Sequence, residues 1–401
     1  MFDFSNLSLK VIDLFKRSLL IVKSQIDYTG AIIAANDSDI IKFNKDTYTY
    51  MWPRDGALAV MSMNHSLYSD TSKQFFHFCK ELLTDEGYMM HKYNPDGSIG
   101  SSWHPKFKNG EVQLPIQEDE TALPLFALND FYRVFDALEY VNELYEPFIK
   151  KAARFIMSYV DKDTGLPLPS YDLWEEHRGV FSYTVATVYG GMNAAANMAQ
   201  AIGNDQEAEV FHLFARRIKE AALKYLYSEK HQRFLKMVTF EDDKVLKEDA
   251  TVDASLSFVW RIGLLPANDP RVVSTMKAIY ETLWVKGPIG GLARYENDYY
   301  QRDFPSEKHP EITGNPWIVT TLWYAMWKIE VAKKEEDLQE VVELLDWVVD
   351  RANEAGILAE QVDPFDGHPL SVAPLTWSHA EFVMTVLNFQ KKLESLTKEV
   401  L

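Results

Sequence analysis

Residues 180–203 read VFSYTVATVYGGMNAAANMAQAIG, and the charged segment DQEAEVFHLFARRIKEAALKYL follows at residues 205–226. The first segment contains no Asp, Glu, Lys or Arg, so a helix formed from it is apolar on every side and must be buried on every side. The second segment has one apolar and one charged face, which is typical of a helix with one side in water. A buried helix followed by a half-exposed helix is therefore the unit from which we predict the fold.

The same alternation recurs along the whole chain. Other uncharged segments begin at Gly56, Thr121, Ala254, Pro316 and Pro374. Charged amphipathic segments cover residues 8–25, 70–84, 147–160, 270–284 and 335–355. Because the uncharged segments start roughly 60 to 70 residues apart, the chain indicates six repeats of an inner and an outer helix. Strand signals are sparse, and two segments within residues 233–252 could pair as a small hairpin.

We predict an all-α fold, an (α/α)6 barrel of six inner and six outer helices that forms a single domain over residues 1–401. An α-solenoid or two helical bundles would show the same periodicity, because periodicity does not establish that a ring closes. These two alternatives remain open from the sequence.

Composition excludes several classes of partner. The formal net charge is -18 at pH 7, from 41 basic and 59 acidic residues. Nucleic acids and anionic membranes require clustered Lys and Arg, so this charge favours neutral or cationic ligands. The N-terminus lacks the apolar core of a signal peptide, no apolar run approaches a membrane span, and the single cysteine, Cys79, cannot form an internal disulfide. We expect a cytoplasmic protein without nucleic-acid or membrane partners.

Tryptophan, arginine and acidic residues gather immediately before the uncharged helices. In chain order these segments are YTYMWPRDG, LPIQEDET, LPSYDLWEEHRG, LKEDATVD, GLARYENDYY with ITGNPWIV, and ILAEQVDPFDGHPL with LTWSH. An acid at a helix start is ordinarily an N-cap, but capping requires neither Trp nor Arg. Because the six segments would meet at one end of the inner ring, we expect a pocket there. Five tryptophans lie in or beside such segments: Trp52, Trp103, Trp174, Trp317 and Trp377.

Glycosidic cleavage needs a carboxylic acid to protonate the leaving oxygen and a carboxylate to activate water or attack carbon. The acids near Trp174 could supply the first of these two groups. Asp172, Glu175 and Glu176 crowd beside this indole, and repulsion and apolar cover would raise the pKa of one of them. The N-terminus of the following helix would act in the opposite sense. Residue chemistry alone therefore leaves open which acid stays protonated.

A second carboxylate and a sugar-binding pair lie in other repeats. Glu360 has no adjacent acid, so it can stay ionised as a base. Arg54 and Asp55 offer a forked donor and an acceptor for adjacent sugar hydroxyls, and aromatic faces could stack on the ring. These residue types together favour a glycoside hydrolase.

The segments YTYMWPRDG, SYDLWEEHRG, GLARY, GNPW and LAEQVDPFDGHPLSVAPLTWSHA resemble, in order and spacing, motifs of the glucoamylase family, family 15 of the glycoside hydrolases. This resemblance covers nearly the whole chain. It implies an (α/α)6 barrel and an inverting, exo-acting enzyme that releases β-glucose from the non-reducing end of short α-glucans. Glu175 would be the general acid and Glu360 the general base. Matched positions imply that the terminal glucose is held by Tyr48, Trp52, Arg54, Asp55, Arg294 and Trp377, and that the neighbouring subsite is shaped by Trp174, Glu176 and Trp317.

The substrate linkage remains open. The α-1,4 linkage is favoured, with α-1,6 isomaltose-type substrates and then trehalose as alternatives, and WPRDG resembles the glucoamylase branch more than the trehalase branch. Relatives often carry a β-sandwich domain before the barrel or a starch-binding module after it, whereas we expect neither here. The expected partner is therefore a short soluble oligosaccharide. A non-catalytic regulatory barrel is disfavoured because both carboxylates are present.

We predict no metal and no cofactor. The runs DKDTG at residues 161–165 and NPDGS at residues 94–98 resemble part of a calcium loop, but the first lacks Gly at the sixth loop position and Glu at the twelfth. The ten histidines show no metal-binding spacing. We expect His177, His368 and His379 to supply hydrogen bonds behind the pocket and not to catalyse.

Overall fold

The computed structural model describes residues 4, 6–36, 47–102, 104, 107–108, 111–241 and 244–400. In chain order its α-helices are α1 Leu9–Ser24, α2 Pro53–His65, α3 Ser69–Leu82, α4 Asp119–Phe135, α5 Leu138–Leu144, α6 Lys151–Ser158, α7 Ser182–Ala201, α8 Asp205–Tyr225, α9 Phe258–Arg261, α10 Pro270–Leu283, α11 Ile318–Val331, α12 Gln339–Val349 and α13 Thr376–Val400. A π-helical turn, Tyr145–Lys150, joins α5 to α6, and 3₁₀ turns, Ala254–Ser257 and Glu335–Leu338, precede α9 and α12. None of the helices in these described ranges is long and apolar enough to cross a membrane.

The inner helices form a closed ring. Helices α2, α4 and α7 pack against one another in that order, the 3₁₀ turn before α9 contacts both α7 and α11, and α11 packs on α13. The last inner helix, α13, also packs against the first, α2. An open solenoid lacks such a closing contact, because each of its repeats touches only its neighbours. The predicted (α/α)6 barrel is confirmed, with α1, α3, α5 with α6, α8, α10 and α12 as its outer layer.

The fourth inner element is much shorter than the other five. Asp253 caps the 3₁₀ turn by accepting a hydrogen bond from the Ser255 N–H at 2.9 Å, and Gly263 follows α9 with φ of +83°, a left-handed conformation that ends a helix. Here the chain approaches α7 closely, since a Cβ on Gly190 would lie 1.8 Å from Cγ2 of Ile262. A glycine in the uncharged segment thus allows this short element to complete the ring.

Short strands lie in the loops. They are β1 Phe107–Lys108, β2 Glu111–Val112, β3 Ser170–Tyr171, β4 Arg178–Phe181, β5 Tyr227–Ser228, β6 Arg233–Phe234, β7 Met237–Glu241, β8 Lys244–Asp249, β9 Gln361–Val362 and β10 Pro369–Leu370. The predicted hairpin is confirmed as β7 paired antiparallel with β8. It belongs to a four-stranded sheet of order β3-β4-β7-β8, which the sequence analysis did not predict. The connection between β3 and β4 carries Asp172, Glu175 and Glu176.

Candidate active site

A cavity of about 720 Å³ opens at the end of the ring where the inner helices begin. The structure places all eleven residues expected from the sequence in its lining: Tyr48, Trp52, Arg54, Asp55, Trp174, Glu175, Glu176, Arg294, Trp317, Glu360 and Trp377. The lining also includes Ala34, Thr47, Ser101, Ser102, Leu173, Tyr299, Tyr300 and Leu375. Of the five tryptophans noted in the sequence analysis, Trp103 lies outside the described residues.

Glu175 lies in the tight connection between β3 and β4. Its φ is +64°, a left-handed conformation that is strained for a residue with a side chain and is concentrated at functional sites. The Asp172 carboxylate holds the turn by accepting hydrogen bonds from the backbone N–H groups of Glu176 at 2.8 Å and His177 at 2.9 Å. The Trp52 indole N–H donates to Oε1 of Glu175 at 2.6 Å. Glu175 is therefore fixed both through the backbone of its turn and through its carboxyl group.

Burial is the main reason that Glu175 can stay protonated, because it raises the pKa of this carboxyl to about 7. The Arg54 guanidinium, the Lys92 ammonium and the hydrogen bond from Trp52 lower this pKa, and the Asp55 carboxylate raises it. The net result places the acid close to neutral pH, where a general acid is most effective.

The structure corrects two causes that the sequence analysis gave for this pKa. Repulsion from Asp172 and Glu176 is not among the main effects on Glu175, and Glu176 instead accepts hydrogen bonds from Arg294 Nη2 at 3.0 Å and Tyr295 OH at 2.5 Å. The expected helix N-terminus does not follow directly, because β4 comes first and α7 begins only at Ser182. Of the effects considered from the sequence, only burial under apolar cover is a main cause of the raised Glu175 pKa.

Glu360 lies between the start of α11 and the segment before α13. Its backbone N–H donates to Val372 O at 3.0 Å, and its carbonyl accepts from the Ile318 N–H at 3.3 Å. Burial raises the pKa of Glu360 above its ordinary value, while the Gln361 amide and the Arg294 guanidinium act in the opposite sense. The Gln361 side-chain N–H donates to Oε2 at 3.1 Å. These donors favour the carboxylate form that a base requires.

Arg54 lies in the first turn of α2 and is surrounded by acids. Its Nη1 is 3.0 Å from Asp119 and 2.9 Å from Glu120, its Nε is 3.4 Å from Asp55, and its Nη2 is 3.6 Å from Oε1 of Glu175. Burial lowers the pKa of Arg54, but Glu120, Asp119 and Asp55 raise it by more than burial lowers it, so the guanidinium stays charged. Burial raises the pKa of Asp55 to about 6. Arg54 is thus oriented before any ligand binds.

Arg294 is held in a similar way on another side of the cavity. Asp298 accepts hydrogen bonds from its Nε and Nη2, both at 2.7 Å, and Glu176 accepts a third from Nη2 at 3.0 Å. The guanidinium lies 4.8 Å from the Trp317 ring and 5.1 Å from the Trp174 ring. Cation–π contacts of this kind orient both the charge and the indoles.

Aromatic rings complete the wall of the cavity. The Tyr48 and Tyr300 hydroxyls are hydrogen-bonded at 2.8 Å, and the Tyr48 ring lies 5.7 Å from that of Trp52. Tyr299 is 66% exposed at the rim. Both Tyr299 and Tyr300 belong to a segment quoted above, GLARYENDYY, but nothing in their spacing separated them from ordinary loop aromatics.

The model of the family described as glycosyl hydrolases family 15 matches residues 12–344 and 328–387, nearly the whole chain. This chain belongs to glycosyl hydrolase family 15. The resemblance inferred from the motifs is confirmed. Membership of the family accounts for both the fold and the motifs.

Relatives within family 15 differ in their names. An uncharacterised glycosyl hydrolase of Methanocaldococcus jannaschii is 28% identical over 95% of this chain, a glucoamylase of Clostridium sp. is 24% identical over 95%, and Trehalase 2 of Sulfolobus acidocaldarius is 23% identical over 94%. The chain spans 57%, 53% and 63% of their respective lengths. Because these names differ and the chain spans only part of each relative, its activity must be argued from its own site.

Solved structures of two glucoamylases share the fold. A bacterial glucoamylase complexed with acarbose matches with a TM-score of 0.77 at 22% identity, over 94% of this chain and 55% of that one. The glucoamylase of Saccharomycopsis fibuligera matches with a TM-score of 0.75 at 16% identity, over 98% of this chain and 97% of that one. At these identities the likeness concerns the (α/α)6 barrel itself.

One group of residues at the family-15 cavity has the composition of a cation site. Ligand atoms of His91, His104 and Glu175 lie within 4.8 Å of one another. Burial lowers the pKa of His91 to about 2 and that of His104 to about 3, so both imidazoles are neutral. The same positive charges that lower these pKa values, Lys92 and Arg54, would repel a divalent ion, so we assign none. The other such group within the described ranges combines buried Asp363 with exposed Asp366 and His368.

The three histidines expected behind the pocket have different environments. His177 and His368 are exposed, and His368 Nδ1 lies 2.6 Å from Asp366. His379 is fully buried and bonds two distant parts of the family-15 barrel. Only His379 therefore has a ring placed as the sequence analysis expected.

Proposed function

We propose that this family-15 barrel is an inverting, exo-acting α-glucosidase of the glucoamylase type, which releases β-glucose from the non-reducing end of short α-glucans. The observation that supports this most strongly is a pair of buried carboxyl groups in one cavity with different surroundings. Burial raises the pKa of Glu175 to about 7. Burial also raises the pKa of Glu360, but the Gln361 amide, which donates to its carboxylate at 3.1 Å, and the Arg294 guanidinium both favour its ionised form. Such a pair supplies an acid and a base at the same pH.

In this mechanism Glu175 donates its proton to the glycosidic oxygen as the bond to the anomeric carbon breaks. Glu360 removes a proton from a water molecule that attacks that carbon from the opposite face. The configuration inverts, no covalent sugar intermediate forms, and the two carboxyl groups end with exchanged protonation states. Trp52 keeps the Glu175 carboxyl in place through its 2.6 Å hydrogen bond.

The remaining lining residues support recognition of glucose. We assign the terminal sugar to Tyr48, Trp52, Arg54, Asp55, Arg294 and Trp377, and the neighbouring sugar to Trp174, Glu176 and Trp317. Arg54 and Arg294 are fixed by acids, so little side-chain entropy is lost when hydroxyls bind them. A cavity of about 720 Å³ suits a short oligosaccharide.

The α-1,4 linkage is our first choice because WPRDG and the relatives named glucoamylase both favour it. Relatives named trehalase keep trehalose as an alternative, and α-1,6 isomaltose-type substrates are a further one. All three linkages present a terminal α-glucose to the same two carboxyl groups, so the choice depends on the neighbouring subsite.

The test is to incubate the protein with maltose, maltotriose, isomaltose and trehalose and to follow the anomeric protons of released glucose by NMR at early times. We expect β-glucose to appear first from one substrate class, which also identifies the linkage. Initial α-glucose would overturn inversion and make Glu360 a nucleophile. No glucose from any substrate would overturn the proposed α-glucosidase and favour a non-catalytic barrel.

The pH dependence of kcat/KM follows from the pKa of Glu175. The protonated acid is the active form, so activity should fall as pH rises through about 7. Because the Lys92 ammonium favours the ionised form, a Lys92→Met variant should raise this pKa and move the alkaline limb to higher pH. An exposed control, Lys230→Met, should leave the limb unchanged. A limb that stays in place or moves to lower pH in Lys92→Met would contradict this assignment.

A further inference from the structure

The segment that carries Glu360 is bonded by two consecutive residues in the first turn of α13. The Ser378 hydroxyl donates to the carbonyl of Ala359 at 2.9 Å. The backbone N–H of Leu358 donates to Nε2 of His379 at 3.0 Å. Side chains from one helical turn therefore fix the two residues that immediately precede Glu360.

The tautomer of His379 follows from these partners. Because Nε2 accepts the Leu358 N–H, the ring proton must be on Nδ1, which lies 2.8 Å from Oγ of Ser18 and donates to it. Ser18 belongs to the outer helix α1, and both side chains are completely buried. Burial lowers the pKa of His379 to about 3, so the imidazole is neutral wherever the barrel is folded near neutral pH.

We propose that His379 is a positioning residue for the base: its neutral imidazole fixes the Leu358 backbone and thereby sets the Glu360 carboxylate against the attacking water. This inference rests on the proposed function, in which Glu360 activates water. Other bonds hold the segment from different sides: the Leu375 N–H donates to the Leu358 carbonyl at 3.0 Å, and Glu360 bonds to the backbone of Val372 and Ile318. Among the described residues, His379 is the side chain that accepts the Leu358 N–H.

The expected size of the effect follows from the geometry of proton transfer. A misplacement of about 1 Å at a reacting group can cost about 10²-fold in rate. Loss of the Leu358 hydrogen bond would let the segment shift by a fraction of this distance. We therefore expect kcat to fall about 10- to 100-fold, with KM nearly unchanged because the sugar-binding residues stay in place.

A matched pair of variants separates positioning from folding. In His379→Gln the longer amide can reach the position of Nε2 and accept the Leu358 N–H, whereas in His379→Asn the shorter amide can reach only Ser18. Both variants remove one ring from the same buried site. We expect His379→Asn to lose kcat and His379→Gln to keep most of it, even where the two have similar melting temperatures.

The substrates are the glucoside identified by the anomer experiment and α-glucosyl fluoride, whose fluoride departs without a proton from the enzyme. A misplaced base slows both substrates, so His379→Asn should lose kcat equally on each. A loss confined to the glucoside, or equal kcat per folded molecule in the Asn and Gln variants, would overturn the proposal. A Glu360→Gln variant with full activity on the fluoride would instead overturn the assignment of Glu360 as the base in the proposed function.

Discussion

Replacing Glu175 by glutamine is expected to slow hydrolysis of the preferred glucoside about 10²–10⁴-fold, the range that a positioned general acid contributes. The amide is nearly isosteric with the carboxyl and can still contact Trp52, but it has no acidic proton for the leaving oxygen. Steady-state kinetics should show the loss in kcat with little change in KM. The alkaline limb of the pH profile near pH 7 should also disappear, because we assign this limb to Glu175, whose pKa burial raises to about 7.

The same variant should hydrolyse α-glucosyl fluoride at nearly the rate of the wild type. Fluoride needs no proton to depart, so the missing acid has little effect on this substrate. Glu220→Gln, at an exposed position on α8, makes the same chemical change away from the cavity and should behave as wild type on both substrates. Equal loss on the glucoside and the fluoride would show that Glu175 does not act as the acid.

Replacing Glu360 by glutamine is expected to reduce kcat about 10²–10⁴-fold on both the glucoside and α-glucosyl fluoride. Every productive turnover requires an activated water, whatever the leaving group, and an amide cannot take its proton. The two variants thus differ in their effect on the fluoride, although both slow hydrolysis of the glucoside to a similar extent. Stopped assays of fluoride release and glucose release on the same samples provide the measurement.

An exposed acid on the same loop supplies the control for Glu360. Asp366→Asn removes a carboxylate six residues along the chain, outside the cavity lining, and should leave both rates unchanged. If Glu360→Gln retains hydrolysis of the fluoride while its melting temperature is unchanged, the base must be another group.

The barrel could be predicted because its inner helices carry an unambiguous physical signal. A helix such as α7, with no charged residue, has no face that water can cover, and its regular alternation with charged helices leaves few architectures. Closure of the ring could not be predicted from periodicity, because it depends on the contact between α2 and α13, which are separated by most of the chain.

The positions of the cavity residues were also accessible from the sequence, whereas their electrostatics were not. The eleven residues could be placed at one end of the ring from their phase within the repeats and the family motifs. The partners that set the Glu175 pKa come from elsewhere: Trp52 is 123 positions away, and Arg54 is held by acids on α4. Local reasoning could weigh only adjacent charges such as Asp172, which proved to stabilise the turn instead.

Closure of the ring also determines the order in which parts of the cavity can form during synthesis of the chain. The hydrogen bond between Ser18 and His379 joins residues 361 positions apart, and α13 packs on both α1 and α2. A nascent chain can therefore bury the acid between its early repeats long before the base segment has a helix to dock on, and contacts between such distant residues form slowly. If the proposed function holds, we expect hydrolytic activity only after α13 has left the ribosome.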